Sequence, residues 1–380
     1  MSFMTILSWL VIGALCLGLI DLVIGNRLGL GEETEKGILS TGRLLLIMTG
    51  FMTLTPLLAE ILSPVVTPIL TSVGCDPSAF AGMFLANDSG GAALAGEMAI
   101  DPDAGRYHGL IVGSMLGFVV VFMIAITISF TTQRERPTAM MGLVAGILPI
   151  PVGCVVGGLV AGLDAKMVLV NTIPCALLSV LLLAALIMLK DKIIIIFNIF
   201  GKFMLCVSYL GLVTAGMQSL LGFKLFGITA DLAEIFSIIC NIGIFLAGAF
   251  PLLAIVMRIL RGPLAKLAGA LRVNELELSG LIATLANNLP AVTSLKEMTP
   301  RGILLNMSFM VSATCVFGDH MAYTAQVDPG MVSGMVAGKL VAAFISLMIG
   351  LRMAKKLDTI PEAEPARNHA AIATGAQAEA

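Results

Sequence analysis

The sequence predicts an all-α polytopic membrane protein: about nine full spans plus two re-entrant helical hairpins, arranged as an inverted structural repeat. Three observations carry that prediction. Hydrophobic residues make up 58% of the 380 and charged residues only 12%, about half the charged share of a soluble domain. Two polar, helix-breaking stretches, Leu85-Ala86-Asn87-Asp88-Ser89-Gly90-Gly91 and Leu285-Ala286-Asn287-Asn288-Leu289-Pro290, interrupt apolar segments about 200 positions apart. Glu97-Met98 and Glu297-Met298 keep the same spacing. Finally, the basic residues segregate between the inter-span segments in a way that strongly favours one topology.

About 20 apolar residues cross a hydrocarbon core. Segments of that kind lie at 3–24, 41–62, 107–131, 138–162, 167–189, 195–220, 234–257, 303–323 and 329–351. The first lacks a positively charged start and a small-residue cleavage site, so it reads as a span and not a removable signal peptide. Segments 77–100 and 276–296 are each one broken span or two half-helices of a hairpin. If both are hairpins, 18 of the 22 Lys and Arg residues fall on one side, Arg106, Lys166 and Lys224 on the other, and Lys339 in mid-span. If both cross, the charge divides almost evenly. The positive-inside rule selects hairpins, an outer N-terminus and a cytoplasmic C-terminus.

That topology turns weak internal similarity into an inverted repeat. Pro56-Leu57-Leu58-Ala59 recurs as Pro251-Leu252-Leu253-Ala254, and Val144-Ala145-Gly146 as Val336-Ala337-Gly338. The repeats are 1–163 with hairpin 77–100 and 193–355 with hairpin 276–296, joined by a connecting helix in 164–192. Five crossings separate their starts, so the second is upside down relative to the first. In such folds broken helices meet near the midplane and line the site. The tail 356–380, rich in Pro, Glu and small residues, is expected to be disordered. Stretch 258–272 reads as an interfacial helix.

Several classes are excluded. A net charge of -2 without basic runs argues against nucleic acid. The seven cysteines are scattered without a C-x-x-C pair, so neither disulfides nor a metal site is expected, and no cofactor is implied. No H-E-x-x-H or nucleophile motif supports an enzyme.

The candidate binding residues are Asn87, Asp88, Ser89, Asn287, Asn288, Asp319 and His320. Asp88 at the first tip serves as counter-charge for a cation, as helix N-cap, or as both. Asn287 and Asn288 form the matching neutral tip, suited to a hydroxyl. Asp319 is a second cation ligand and His320 its proton-sensitive neighbour, unless the pair merely faces water. Lys339, too deep to snorkel, is expected to pair with Asp319 or Asp88 as a structural or gating ion pair. Asp21, Glu60 and Glu234 read as interfacial.

Over nearly all of residues 1–355 the chain resembles the bacterial ethanolamine permeases (EutH) of ethanolamine utilisation. The resemblance rests on Phe80-Ala81-Gly82 leading into Asp88-x-Gly90-Gly91, on Ala283-Thr284-Leu285-Ala286-Asn287-Asn288-x-Pro290, on Gly318-Asp319-His320 and on Val336-x-Gly338-Lys339-Leu340. It implies an inner-membrane permease that brings ethanolamine to a cytoplasmic ammonia-lyase. Ethanolamine and the lipid bilayer are then the partners, with a homodimer left open. The alternative is an H⁺- or Na⁺-coupled transporter, or a Na⁺-translocating subunit, for another small ligand.

Overall fold

The computed structural model describes residues 3–189, 191–227 and 230–357, and among these the chain is helical, with no strand. In order the helices are α1 (Phe3–Val23), α2 (Leu30–Ser72), α3 (Ser78–Phe84), α4 (Ala92–Met98), α5 (Pro102–Phe130) and α6 (Arg136–Val160). The connecting α7 (Ala165–Leu189) precedes α8 (Asp191–Leu221), α9 (Leu232–Ile259), α10 (Arg261–Leu271), α11 (Glu275–Ala283), α12 (Leu289–Thr293), α13 (Pro300–Ala313), α14 (Asp319–Val327) and α15 (Val332–Leu357). Among the described residues eight helices are long and apolar enough to cross a membrane: α1, α2, α5, α6, α7, α8, α9 and α15. The expected tail lies, from residue 358 on, outside the described residues.

The eighth of the nine expected spans, 303–323, is broken. Helix α13 stops at Ala313 and α14 restarts at Asp319. The cause is a tertiary contact: Cys315 N donates to Thr284 O at 3.1 Å and Phe317 N to Leu285 O at 2.8 Å. Two interrupted helices thus satisfy each other's freed backbone groups, which an apolar environment requires. Gly318 makes the approach possible, since a Cβ there would sit 1.9 Å from Ala286 O. Gly117 of α5 plays the same part in the first half, where a Cβ would sit 1.9 Å from Leu85 O.

Each helix–break–helix unit is tied at its base by one carboxylate. Asp76 accepts from Ser78 N at 2.9 Å and from Ile100 N and Asp101 N at 3.0 and 2.9 Å, so the start of α3 meets the end of α4. Glu277 accepts from Thr299 N at 2.8 Å and from Asn274 N at 3.0 Å, joining the start of α11 to the start of α13. The next helix then begins alike in both halves. Asp101 and Thr299 are N-caps, accepting from Asp103 N and Gly302 N, and Pro102 and Pro300 follow, where a missing N–H costs nothing.

Packing between the halves has the same correspondence. Helix α9 approaches α1 where Gly248 meets Val11 O, and α2 approaches α8 where Gly50 meets Ser208 O. Adding about 200 to one partner and subtracting it from the other converts the first contact into the second.

Other departures from the expected boundaries have local causes. Helix α2 runs 43 residues, ~65 Å at ~1.5 Å per residue and well beyond a bilayer core. Its polar start carries Lys36 against Glu32 and Glu33. Helix α6 is interrupted around Pro149, which lacks the donor that would continue the ladder. Asp21, expected at the interface, is 1% exposed. It accepts from Leu28 N, Leu30 N and Gly31 N, capping the turn between α1 and α2.

Candidate functional site

The breaks between α3 and α4 and between α11 and α12 border one cavity of ≈ 330 Å³, within the size range of small-molecule sites. Six of the seven residues singled out from the sequence line it: Asp88, Ser89, Asn287, Asn288, Asp319 and His320. Apolar side chains of α2 and α5, among them Leu44, Met48, Phe118 and Phe122, also line it.

At the first break Ser89 departs from helical geometry and Gly90 turns with φ 88, a region other residues enter at a cost. Asp88 is 8% exposed, and Ser89 Oγ donates to its Oδ1 at 3.1 Å. Gly91 stands at the N-cap of α4. Asn87 lies behind the cavity. Its Nδ2 donates to His320 O at 3.3 Å and to Thr324 Oγ1 at 3.4 Å, tying the first break to α14.

The second break divides labour between its two amides. Asn287 Oδ1 accepts from Leu289 N at 2.8 Å, a local turn that starts α12. Asn288, two residues before Pro290, is buried and directs Nδ2 at Met123 Sδ, 3.8 Å away.

Asp319 and His320 come together at the start of α14. His320 is 1% exposed and does not face bulk water; its ring sits edge-on to Phe118, centroids 5.0 Å apart. Lys339 is fully buried. Its ammonium, expected beside Asp319 or Asp88, donates to Ser114 O at 2.6 Å and contacts His320 Nδ1 at 3.0 Å.

Sequence reasoning missed Phe118, Cys315 and Ser40 as lining residues and Ser114 as the carbonyl that holds Lys339. No residue type marks the first three, which lie within or beside apolar runs. Among the described residues no cluster of His, Cys, Asp and Glu could hold a metal ion.

Membrane-length apolar helices around a buried polar cavity, built where helices break, define a multi-pass membrane protein of the transporter class. The chain belongs to the family described as "Ethanolamine utilisation protein, EutH", whose family model matches residues 3–353. It is 41% identical to the "Probable ethanolamine permease EutH" of Listeria monocytogenes, over 94% of this chain and 96% of that one. It is 34% identical to the Escherichia coli protein of the same name, over 87% of each chain, and 38% identical to "Uncharacterized protein YxeR" of Bacillus subtilis, over 85% and 87%. No solved structure matches.

Proposed function

We propose that the protein is a permease for ethanolamine, bound as its ammonium form in the cavity between the two breaks. The observation that carries this reading is the convergence of Asp88, Asn288, Asp319 and His320 on one cavity in a chain of this family. Ethanolamine is mostly protonated at neutral pH, and the cation crosses lipid poorly. A desolvated carboxylate supplies the counter-charge such a cation needs, and a buried amide pairs its hydroxyl.

Labelled ethanolamine binding to the purified protein tests the reading: saturable binding, insensitive to replacing Na⁺ with K⁺, is expected. No saturable binding would refute it, and strict Na⁺ dependence would favour the coupled transporter. Asn288→Ala removes one hydrogen bond of roughly 0.5–1.5 kcal/mol and should weaken affinity up to about tenfold in the same assay.

The membrane arrangement belongs to the same proposal: two re-entrant hairpins in an inverted repeat, N-terminus outside, C-terminus in the cytoplasm, in a bacterial inner membrane. The tied bases at Asp76 and Glu277 and the reciprocal contacts of Gly248 with Val11 and Gly50 with Ser208 support it. Ser40 and Phe130, which line the cavity, fall near the inner ends of their segments under this topology, so access is from the cytoplasm. On the outer side Arg106 Nε binds Asp328 Oδ2 at 2.5 Å, joining the two halves as a gate.

Cysteine labelling checks the hairpin. Cys75 itself is a poor reporter: burial, with the Asp76 carboxylate adding to it, pushes its thiol up to about 12, and Sγ is held 3.1 Å from Asn171 Oδ1. Exposed Val73 and Ile100 serve instead, with exposed Gln133 as the inner control. In intact cells expressing a variant without other reactive cysteines, an impermeant maleimide should label Val73→Cys and Ile100→Cys but not Gln133→Cys. Opposite accessibility of positions 73 and 100 would eliminate the hairpin.

A further inference from the structure

Binding a cation does not explain why a lysine is buried against the same cavity. Lys339 Nζ lies 2.6 Å from Ser114 O and 3.0 Å from His320 Nδ1. An ammonium carries three donors and no acceptor, so it can only donate to Nδ1. A proton on Nδ1 would face the ammonium hydrogens across that 3.0 Å contact. The Ser114 carbonyl, which also lies close to the ring, accepts from Lys339. The neutral ring has one N–H, which is therefore on Nε2.

The rest of the surroundings hold that ring still. Phe118 packs against it at an interplanar angle of 74°. The His320 carbonyl is bound by Asn87 Nδ2 and Thr324 Oγ1. His320 also lines the cavity.

We infer that Lys339 is a positioning residue that fixes His320 as an Nε2–H donor, and that this N–H selects substrates with an acceptor oxygen two carbons from the ammonium. The inference rests on the proposed ethanolamine site and deepens it. His320 donates to the hydroxyl oxygen, Asn288 Oδ1 accepts the hydroxyl proton, and Asp88 takes the ammonium. An alkylamine of equal length turns a methyl group on His320 and leaves a buried donor unpaired, which is how polar sites reject apolar analogues.

The test uses two competitors of equal charge and length, 2-methoxyethylamine and butylamine. They differ in one ether oxygen, which can only accept. Each displaces labelled ethanolamine from purified protein, and the ratio of the two affinities is read. Wild type should favour the ether by roughly threefold to tenfold, the worth of one net hydrogen bond. His320→Leu should bring the ratio to about one, whereas His320→Gln, whose amide keeps an N–H, should retain it. Lys339→Met should also bring it to about one, because Nδ1–H can then turn to Ser114 O and leave a lone pair on Nε2. Lys339→Gln, with an amide donor for Nδ1, should restore it. ¹⁵N shifts of His320 in wild type should report the Nε2–H tautomer. A wild-type ratio near one, a ratio unchanged in His320→Leu and Lys339→Met, or an Nδ1–H tautomer would each overturn the inference while leaving ethanolamine binding intact. Absence of ethanolamine binding in wild type would instead remove the function on which it rests.

Discussion

Asp88→Asn is expected to lose ethanolamine binding by more than about a hundredfold while the protein stays folded. The substitution keeps size and hydrogen-bonding capacity but removes the counter-charge. Leaving one member of a buried charge pair without its partner costs roughly 3–5 kcal/mol, which exceeds the effect of any single neutral hydrogen bond in the site. Ser89 Oγ, which donates to Asp88 Oδ1, can donate equally to an amide oxygen, so the turn at the first break is retained. Size-exclusion of the purified variant checks the fold, and labelled-ligand titration checks the affinity. Normal affinity would move the cation to Asp319, the other carboxylate on the cavity.

Gly318→Ala should be the most damaging conservative change to the architecture. Its Cβ would lie 1.9 Å from Ala286 O, a backbone atom of the second break that cannot swing aside. Relief requires parting the strand-like pairing of Cys315 N with Thr284 O and Phe317 N with Leu285 O. Overpacking of this kind costs roughly 1–3 kcal/mol, and here it also displaces Asn287 and Asp319 on either side of the cavity. Gly216→Ala, in open space on a helix, is the control and should be neutral or stabilising by up to about 1 kcal/mol. Thermal unfolding of both variants in detergent, followed by ligand binding, separates the outcomes. Equal melting temperatures would show that the α11–α12 break and the α13–α14 break are not clasped through Gly318.

Most of what positions the site was legible in the sequence. Asn87-Asp88-Ser89-Gly90-Gly91 and Asn287-Asn288-Leu289-Pro290 announce breaks because Asn, Asp, Gly and Pro compete with a helix locally, whatever surrounds them. The break at 314–318 was not legible. Thr314-Cys315-Val316-Phe317 reads as a continuous apolar run, and the helix stops there only because a distant segment offers carbonyls to its N–H groups. Tertiary competition of that sort leaves no local signature beyond Gly318. The departure of α5 from regular helix over Tyr107–Gly117 is equally silent in composition. The buried lysine was visible as an anomaly, but its neighbours were not. Ser114 lies 225 residues from Lys339, and only the fold brings the ammonium to its carbonyl and to the His320 ring.

Two carboxylates line the cavity and an ammonium lies beside His320 on its wall, and we propose that this site carries ethanolammonium across the membrane through Asp88. Uptake of labelled ethanolamine into proteoliposomes on the acid side of neutrality, where the freely diffusing base is scarce, tests it most directly. Wild type should give saturable uptake well above protein-free vesicles, and Asp88→Asn should fall to the vesicle background. Wild-type uptake equal to the protein-free vesicles, or full uptake by Asp88→Asn, would contradict the account.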